Sequence, residues 1–284
     1  MDNLAKRAAR AAWAIAGAVK RPPRFPPGHY YSALPNRADE ERASEWSTSD
    51  SDPVGIDIDR AAMTELVRTL APMWPELDVK GRYHPSEMFG LADAVVYHSI
   101  LRHFQPAQIL EIGSGFSTAV ALDTIESHGL HTKVTCIEPN PGRLLALLRP
   151  TDDVQLHRSA VQDMGLAPSR ILGRGDFLFI DSTHVVKAGS DVVWNVLHVL
   201  PTLQPGVIVH VHDIFWPLEY KPSWIRERRA WTEIYLLHAF LCHNPEWRVL
   251  LINDLVWREQ KDVVGSFAPG AAAERPGGLW MQRI

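Results

Sequence analysis

The stretch that decides the fold is Ile-Leu-Glu-Ile-Gly-Ser-Gly-Phe-Ser-Thr, at residues 109–118. An apolar run ends in two closely spaced glycines, and a helical pattern begins directly after them. Glycine lets the backbone approach a ligand closely, and the first turn of a helix offers free N–H groups. The stretch therefore predicts a strand, a ligand-binding turn and a helix.

This turn differs from the dinucleotide-binding fingerprint, which requires the pattern G-x-G-x-x-G. Gly113 and Gly115 fit its first two positions, but Thr118 stands at the third. Glu111 closes the strand and would repel a pyrophosphate, whereas it suits a ligand with a cationic or amino group. S-adenosylmethionine (SAM) carries both a sulfonium and an α-amino group. Glu138 ends the next predicted strand, where an acid can accept hydrogen bonds from ribose hydroxyls.

Strand-like and helical segments alternate from residue 108 onward, which predicts a parallel sheet with right-handed crossovers. We therefore expect an α/β protein with a three-layer α/β/α sandwich. The predicted strands are Gln108–Ile112, Lys133–Glu138, Val154–Ser159, Phe177–Asp181, Gly206–Ile214, Trp247–Asp254 and Leu279–Ile284, with a loop between the last two. The predicted helices are Ile56–Leu70, Pro85–Phe104 (capped by Ser86), Phe116–Glu126, Pro141–Leu148, Pro168–Leu172, Ser190–Leu203 (capped by Ser190) and Arg229–His243.

Composition excludes several classes of protein. The chain has 284 residues, of which 46% are hydrophobic, so it can bury a full core. Its two cysteines do not make a disulfide framework, which predicts a cytoplasmic protein. Its net charge of −4 gives no electrostatic footprint for nucleic acid. No apolar run approaches the length that spans a bilayer.

The first 54 residues differ in composition from the rest of the chain. Residues 1–21 are basic and Ala-rich with apolar residues at helical spacing, and four prolines follow. This segment can be a solvated helix, a helix in weak contact with a membrane surface, or the apolar region of a signal peptide. Residues 37–53 are acidic and Ser-rich and are predicted to be an exposed linker. We expect residues 1–54 to be partly disordered and residues 55–284 to form the functional domain.

Several short motifs together indicate one family of proteins. They are EIGSGFST at 111–118, IEPNPGRLL at 137–145, GDFLFIDSTH at 175–184, HVHDIFWP at 210–217, RAWTE at 229–233 and PGGLW at 276–280. From about residue 56 to its end, the chain resembles class I SAM-dependent methyltransferases, in particular a Methyltransf_24-like bacterial subgroup often encoded beside cell-surface glycan genes. The resemblance implies a Rossmann-like sheet of strand order 3-2-1-4-5-7-6, with the last strand antiparallel.

The resemblance also implies which residues bind the cofactor. The glycine turn would hold the methionine part of SAM, the acid after the second strand would hold the ribose, and the segment after the third strand would lie along the adenine. These residues are Glu111, Gly113, Gly115 and Ser117 for the methionine part, Glu138 for the ribose, and Ala160 and Val161, followed by Gln162, for the adenine.

Candidate catalytic groups follow the fourth and fifth strands, because ligands of open α/β sheets bind at the carboxyl ends of the strands. Asp181 closes an apolar run and could orient the acceptor, bind a metal or cap a turn. His184 could be a general base or a loop histidine bonded to backbone. His212 lies at the mouth of the fifth strand, whereas His210 lies deeper and is predicted to be a core histidine.

A divalent metal is a further hypothesis for this region. Related metal-dependent O-methyltransferases bind Mg²⁺ through acids that follow strands four and five, and Asp181 and Asp213 match two of those positions. Ile214 departs from the Asn or Asp of the third position. A ligand from His184 or His212 would make a mixed nitrogen and oxygen site, which favours transition metals over Mg²⁺.

The segment from Phe215 to Trp231 is aromatic and basic. Aromatic faces with hydrogen-bonding groups suit sugar rings and other amphipathic acceptors. Arg226, Arg228 and Arg229 could bind a carboxylate or phosphate. The segment could equally form a lid or a surface that packs in an oligomer.

The sequence thus predicts an enzyme that transfers a methyl group from SAM to an acceptor, which we expect to be a hydroxyl of a small molecule or glycan. Two alternatives remain: a catalytically silent methyltransferase-like binding module, and a nucleotide-dependent oxidoreductase. Thr118 and Glu111 argue against the oxidoreductase.

Overall fold

The computed structural model describes residues 24–284. The helix, signal peptide and membrane-contact hypotheses for residues 1–21 lie outside the described residues. Among the helices that are described, none is both long and apolar enough to cross a membrane.

The fold is built on a seven-stranded sheet of order β3-β2-β1-β4-β5-β7-β6. This confirms the order that the family resemblance implies. The strands are β1 Gln108–Ile112, β2 Lys133–Ile137, β3 Val154–His157, β4 Phe177–Ile180, β5 Ile208–His212, β6 Trp247–Ile252 and β7 Gly278–Arg283.

The central strand, β1, pairs in parallel with β2 on one side and with β4 on the other. β4 in turn pairs in parallel with β5. β7 lies between β5 and β6 and is antiparallel to both, as predicted for the last strand. The carboxyl ends of β1, β4 and β5 therefore lie side by side along one edge of the sheet.

Helices cover both faces of the sheet. They are α1 Arg37–Trp46, α2 Arg60–Leu70, α3 Leu91–Phe104, α4 Phe116–His128, α5 Gly142–Leu147, α6 Asp191–Trp194, α7 Pro222–Arg226, α8 Glu233–Leu241, α9 Asn253–Glu259 and α10 Lys261–Phe267. Alternate side chains of each strand enter opposite cores. Phe177 and Phe179 of β4 pack into one buried cluster with α3 and α4, whereas Leu178 and Ile180 pack into the other.

The structure corrects the predicted linker. Residues 37–46 form the helix α1, which begins at a capping box in which Asn36 and Asp39 bond each other's backbone N–H. None of the side chains of α1 is buried, so the segment is exposed as predicted. The polar composition reflects a surface helix rather than an unstructured linker.

The structure also corrects the boundaries of three other segments. α3 begins at Leu91 instead of Pro85, and Glu274 rather than Ser86 accepts a bond from its first turn, at the Ala92 N–H. The predicted loop after β6 contains α9 and α10. Ser190 caps α6 as predicted, but the helix continues as a π-helical turn over Asn195–Val199.

Candidate active site

A cavity of about 1200 Å³ opens at the carboxyl ends of β1, β4 and β5. Its walls come from the turns that follow these strands, from the segment before α3 and from the aromatic segment after β5. Most of the candidate cofactor, catalytic and metal residues predicted from the sequence line it: Gly113, Gly115, Ser117, Glu138, Ala160, Val161, Asp181, His184, His212 and Asp213.

The turn after β1 has the geometry that its glycines predict. Gly113 has a φ of +80°, a conformation in which a side chain is strained. A Cβ at this position would also collide with the carbonyl oxygen of Asp181. The Gly115 N–H donates to Thr118 Oγ1, so the residue that replaces the third glycine stabilises the turn.

Glu111 does not line the cavity, in contrast to the predicted direct contact with the cofactor. Its side chain is fully buried beneath the turn, where the hydroxyls of Ser117 and Thr118 donate to the carboxylate. Burial raises the pKa of Glu111 to about 7, although both hydrogen bonds act to lower it. Glu111 therefore holds the turn and the first residues of α4 in place.

Glu138 lies beside that turn. Its carboxylate accepts hydrogen bonds from the backbone N–H groups of Ser114 (3.3 Å) and Asn140 (2.7 Å). These bonds fix the carboxylate beside the glycine turn while leaving further lone pairs to accept bonds from a ligand. Gln162 also lines the cavity, and its Oε1 is buried with no protein partner among the described residues.

On the opposite side, His184 sits among three carboxylates. Its Nδ1 lies 2.8 Å from Glu233 Oε2, and its Nε2 lies 3.4 Å from Asp181 and 3.5 Å from Asp213. Both His184 and Asp213 adopt left-handed backbone conformations, with φ of +59° and +57°. Such strain in non-glycine residues is concentrated at functional sites.

The charges around His184 decide its protonation state. Burial acts to lower the pKa of this histidine, but the hydrogen bonds that it donates to Asp181 and Glu233 outweigh burial and raise the pKa well above its usual value. The arrangement therefore favours an imidazolium, which cannot accept a proton. This departs from the free general base that the sequence suggests.

The two histidines of β5 differ as their depth in the strand predicts. His210 is buried between Phe179 and Trp280, at ring-centroid distances of 4.2 and 4.4 Å, and burial holds its pKa well below its usual value. His212 lines the cavity. Burial acts to lower the pKa of His212, but Asp181 and Asp213 raise it above its usual value.

Three of these side chains form a cluster that could hold a metal ion. One ligand atom each from Asp181, His212 and Asp213 lie within 4.8 Å of one another. The set contains both acids predicted from the sequence and one of the two histidines considered. Two carboxylates and one imidazole fit a divalent ion, and the imidazole favours a transition metal over Mg²⁺.

Three polar residues of this region were assigned no individual role from the sequence. Glu233 is the buried acid of an otherwise apolar helix, which is a signal that the sequence does carry. Asp93 is buried against the Asn253 amide and the Gly277 N–H, and burial raises its pKa to about 6. Lys221 lines the cavity beside Trp224.

The aromatic segment contributes only some of its residues to the cavity. Trp224, Arg229 and Trp231 line it, whereas Trp216 is buried elsewhere in the core. Of the two other arginines considered, Arg228 lines a second cavity of about 400 Å³ beneath α1 and pairs with Glu40. Arg226 lines neither of these cavities.

Comparison with known proteins agrees with this arrangement. Residues 110–214 match a family model described as a methyltransferase domain. They include the glycine turn, Glu138 and the cluster of Asp181, His212 and Asp213. Residues 110–214 are thus similar to a methyltransferase domain.

Individual relatives of the chain are distant. A protein of Archaeoglobus fulgidus described as uncharacterized is 31% identical over 134 residues, which are 43% of this chain and 61% of the relative. The match thus spans less than two thirds of that curated relative.

Solved structures that resemble the chain share little sequence with it. CmcI with Mg-SAM is 20% identical, with a TM-score of 0.39, over 68% of this chain and 71% of that one. The S-adenosylhomocysteine-bound (SAH-bound) Podospora anserina methyltransferase PaMTH1 is 17% identical, with a TM-score of 0.45, over 89% and 99%. The plantazolicin methyltransferase BpumL, in complex with a triazolic desmethylPZN analog and SAH, is 12% identical, with a TM-score of 0.47, over 80% and 99%.

Proposed function

We propose that this protein binds SAM and transfers its methyl group to a hydroxyl oxygen of a small molecule or glycan. One observation carries the proposal. The glycine turn and Glu138 line the same cavity as the carboxylates of Asp181 and Asp213 and the buried imidazole of His184. Groups suited to a cofactor and groups suited to an acceptor therefore face a common space.

The cofactor side of the cavity has a defined task for each residue. The close backbone at Gly113 and Gly115 gives access to the N–H groups that begin α4. Ser117 is positioned by Glu111, and Glu138 presents a carboxylate that can accept bonds from two ribose hydroxyls. Val161 and the free Oε1 of Gln162 would meet the adenine, through apolar contact and hydrogen bonding respectively.

The acceptor side must align an oxygen and take up its proton. SAM, when bound, supplies an electrophilic methyl group on a sulfonium. Asp181 and Asp213 offer carboxylate oxygens that can orient an acceptor hydroxyl and accept its proton. Glu233 fixes the His184 ring through Nδ1, so that Nε2 is held toward both carboxylates.

We also propose that Asp181, His212 and Asp213 hold a divalent metal ion. When bound, such an ion lowers the pKa of a coordinated hydroxyl. A neighbouring histidine orients the His212 ring for this role, because Nδ1 of His212 lies 3.3 Å from Nε2 of His210.

Cofactor binding is tested by calorimetric titration of SAH into the folded protein. We expect binding in the wild type, and about tenfold weaker binding in Glu138→Gln because charge-assisted hydrogen bonds to the ribose are lost. Asp153→Asn is a matched control, since Asp153 is exposed and outside the cavity. Absence of binding at millimolar SAH would refute the proposal.

The metal site is tested by titrating Mn²⁺, Co²⁺ and Mg²⁺ separately. We expect tighter binding of Co²⁺ than of Mg²⁺, and a loss of at least about tenfold in Asp213→Asn. Asp191→Asn is the control, because Asp191 lines the cavity but bonds Thr183 and lies outside the cluster. Equal affinities in the two variants would show that any binding is nonspecific.

The two alternatives are separated by further measurements. A silent binding module would bind SAH but transfer no label from radioactive SAM to any acceptor of a hydroxyl-bearing panel. An oxidoreductase would bind NADH, which fluorescence titration detects.

A cytoplasmic location and a possible oligomer are also part of the proposal. Both cysteines, Cys136 and Cys242, are unpaired, as expected in a reducing compartment.

A further inference from the structure

Two basic side chains of the large cavity contact the same aromatic ring. Nζ of Lys221 lies 4.6 Å from the centroid of the Trp224 ring, and Cζ of Arg229 lies 4.1 Å from it. All three residues line the large cavity. They belong to the segment that follows β5, whereas the predicted cofactor turn follows β1.

The ammonium group of Lys221 uses only some of its N–H donors within residues 24–284. Its Nζ donates one hydrogen bond, of 2.9 Å, to the Arg275 carbonyl, and it also lies 4.2 Å from the Phe215 centroid. Within residues 24–284, no carboxylate lies within 4.0 Å of this amine. A part-buried ammonium that pairs with no carboxylate is costly, because its charge has lost water without gaining an opposite charge in contact with it.

Arg229 is held at the cavity by its backbone and by aromatic rings. The residues on either side of it, Arg228 and Ala230, have φ values of +57° and +55°. These left-handed conformations are strained in non-glycine residues. The guanidinium packs against Trp224 and, at 5.0 Å, against Trp231.

The hydrogen bonds of Arg229 leave one end of its guanidinium available. Its Nε donates to Glu227 at 2.8 Å, and the terminal nitrogens have no protein partner in the part of the chain that the structure describes. These terminal nitrogens form the edge that binds planar carboxylates and phosphates through paired hydrogen bonds.

We propose that Lys221 and Arg229 together bind an acidic group of the methyl acceptor, either a carboxylate or a phosphate. This inference rests on the proposed function, because the acceptor is defined by methyl transfer. The Trp224 ring contacts both the ammonium and the guanidinium, which keeps the two positive charges at one part of the cavity. The pair would therefore select acidic acceptors over neutral ones of the same shape.

The test uses three small probes with the protein saturated with SAH. Phenyl phosphate and benzoate distinguish the two acids, and benzyl alcohol is the neutral control. We expect calorimetric binding of at least one acid and none of the alcohol. Lys221→Met and Arg229→Gln should each weaken that binding about tenfold. Arg228→Gln should leave it unchanged, because Arg228 pairs with Glu40 and does not line the large cavity.

Other outcomes would overturn the inference. Equal binding of the acids and the alcohol would show that the site does not recognise charge. Unchanged acid binding in both test variants would place the anion elsewhere, for example at Arg143 beside the glycine turn. Weaker SAH binding in Lys221→Met or Arg229→Gln would assign the pair to the cofactor's carboxylate. Failure of the wild type to bind SAH, with acid binding retained and sensitive to both variants, would contradict the methyltransferase proposal alone.

Discussion

At the scale of single residues, Gly113 couples the glycine turn to the acceptor side of the site. Its positive φ and its contact with the Asp181 backbone bring the ends of β1 and β4 together. Conformation and space both require glycine there. Gly129, at the end of α4, also has a positive φ, of +61°. In contrast to Gly113, it has nothing within 4 Å of an added Cβ.

This contrast allows conformational strain to be separated from steric collision. We expect Gly129→Ala to lower the free energy of unfolding by about 1 kcal/mol, through strain alone. Gly113→Ala should cost at least about 3 kcal/mol, because a backbone carbonyl must also move. Equilibrium unfolding in urea measures both values. Similar losses in the two variants would mean that the turn relaxes without penalty.

At the scale of elements, α1 and its neighbour α7 are the two described α-helices without a buried side chain. α1 packs beside α7, with the exposed Arg228 side chain paired to Glu40. Its own residues contribute nothing to either core. The capping box at Asn36 therefore carries much of its local stability.

Replacing Asn36 tests this dependence. Asn36→Ala removes the acceptor for the Asp39 N–H. We expect the free energy of local unfolding of α1 to fall by about 1 kcal/mol, which should speed amide exchange over residues 37–46 by about fivefold. The urea midpoint of the whole protein should not change. Glu45→Ala, at an exposed position of the same helix, is the control. A shifted global midpoint would show that α1 unfolds together with the core.

At the scale of the whole molecule, acid stability depends on a histidine far from the cavity. His98 of α3 is buried, with Nδ1 2.9 Å from Thr124 Oγ1. The Thr124 hydroxyl donates to the Val120 carbonyl, so Nδ1 of His98 must be the donor. Nε2 is then an acceptor with no partner among the described residues. Burial, aided by Arg102 and His128, lowers the pKa of His98 to about 3.

The sign of the pH effect follows from linkage. Below about pH 6.5 the unfolded chain protonates His98, whereas the folded chain resists until about pH 3. The contribution of His98 to stability is therefore complete above pH 6.5 and is lost as pH falls. Between about pH 6.5 and pH 3, we expect the free energy of unfolding to fall by up to about 1.4 kcal/mol for each unit by which the pH is lowered.

His98→Asn should remove the contribution of this histidine to the slope of unfolding free energy against pH. His131→Asn, at an exposed position, should keep the wild-type slope. Urea unfolding at a series of pH values measures the effect. Identical slopes for His98→Asn and the wild type would contradict the assignment.

The sequence by itself determined the features that depend on neighbouring residues. The bounds of β1 and the start of α4 were predicted to the residue, because apolar periodicity and the two glycines are local signals. Asp181, His212 and Asp213 were placed at strand ends for the same reason. The strand order followed from the family resemblance, since local patterns do not specify which strands pair.

The tertiary structure alone decided how distant residues act on one another. Glu233 lies 49 residues from His184 and, after Asp181, helps to raise its pKa. Glu274 bonds the first turn of a helix that begins 183 positions earlier, at Leu91. Glu111 has a local signature of ligand contact, yet three-dimensional packing buries it beneath the turn. Burial and electrostatic partners are properties of the folded chain, because they arise from segments that meet only when the sheet assembles.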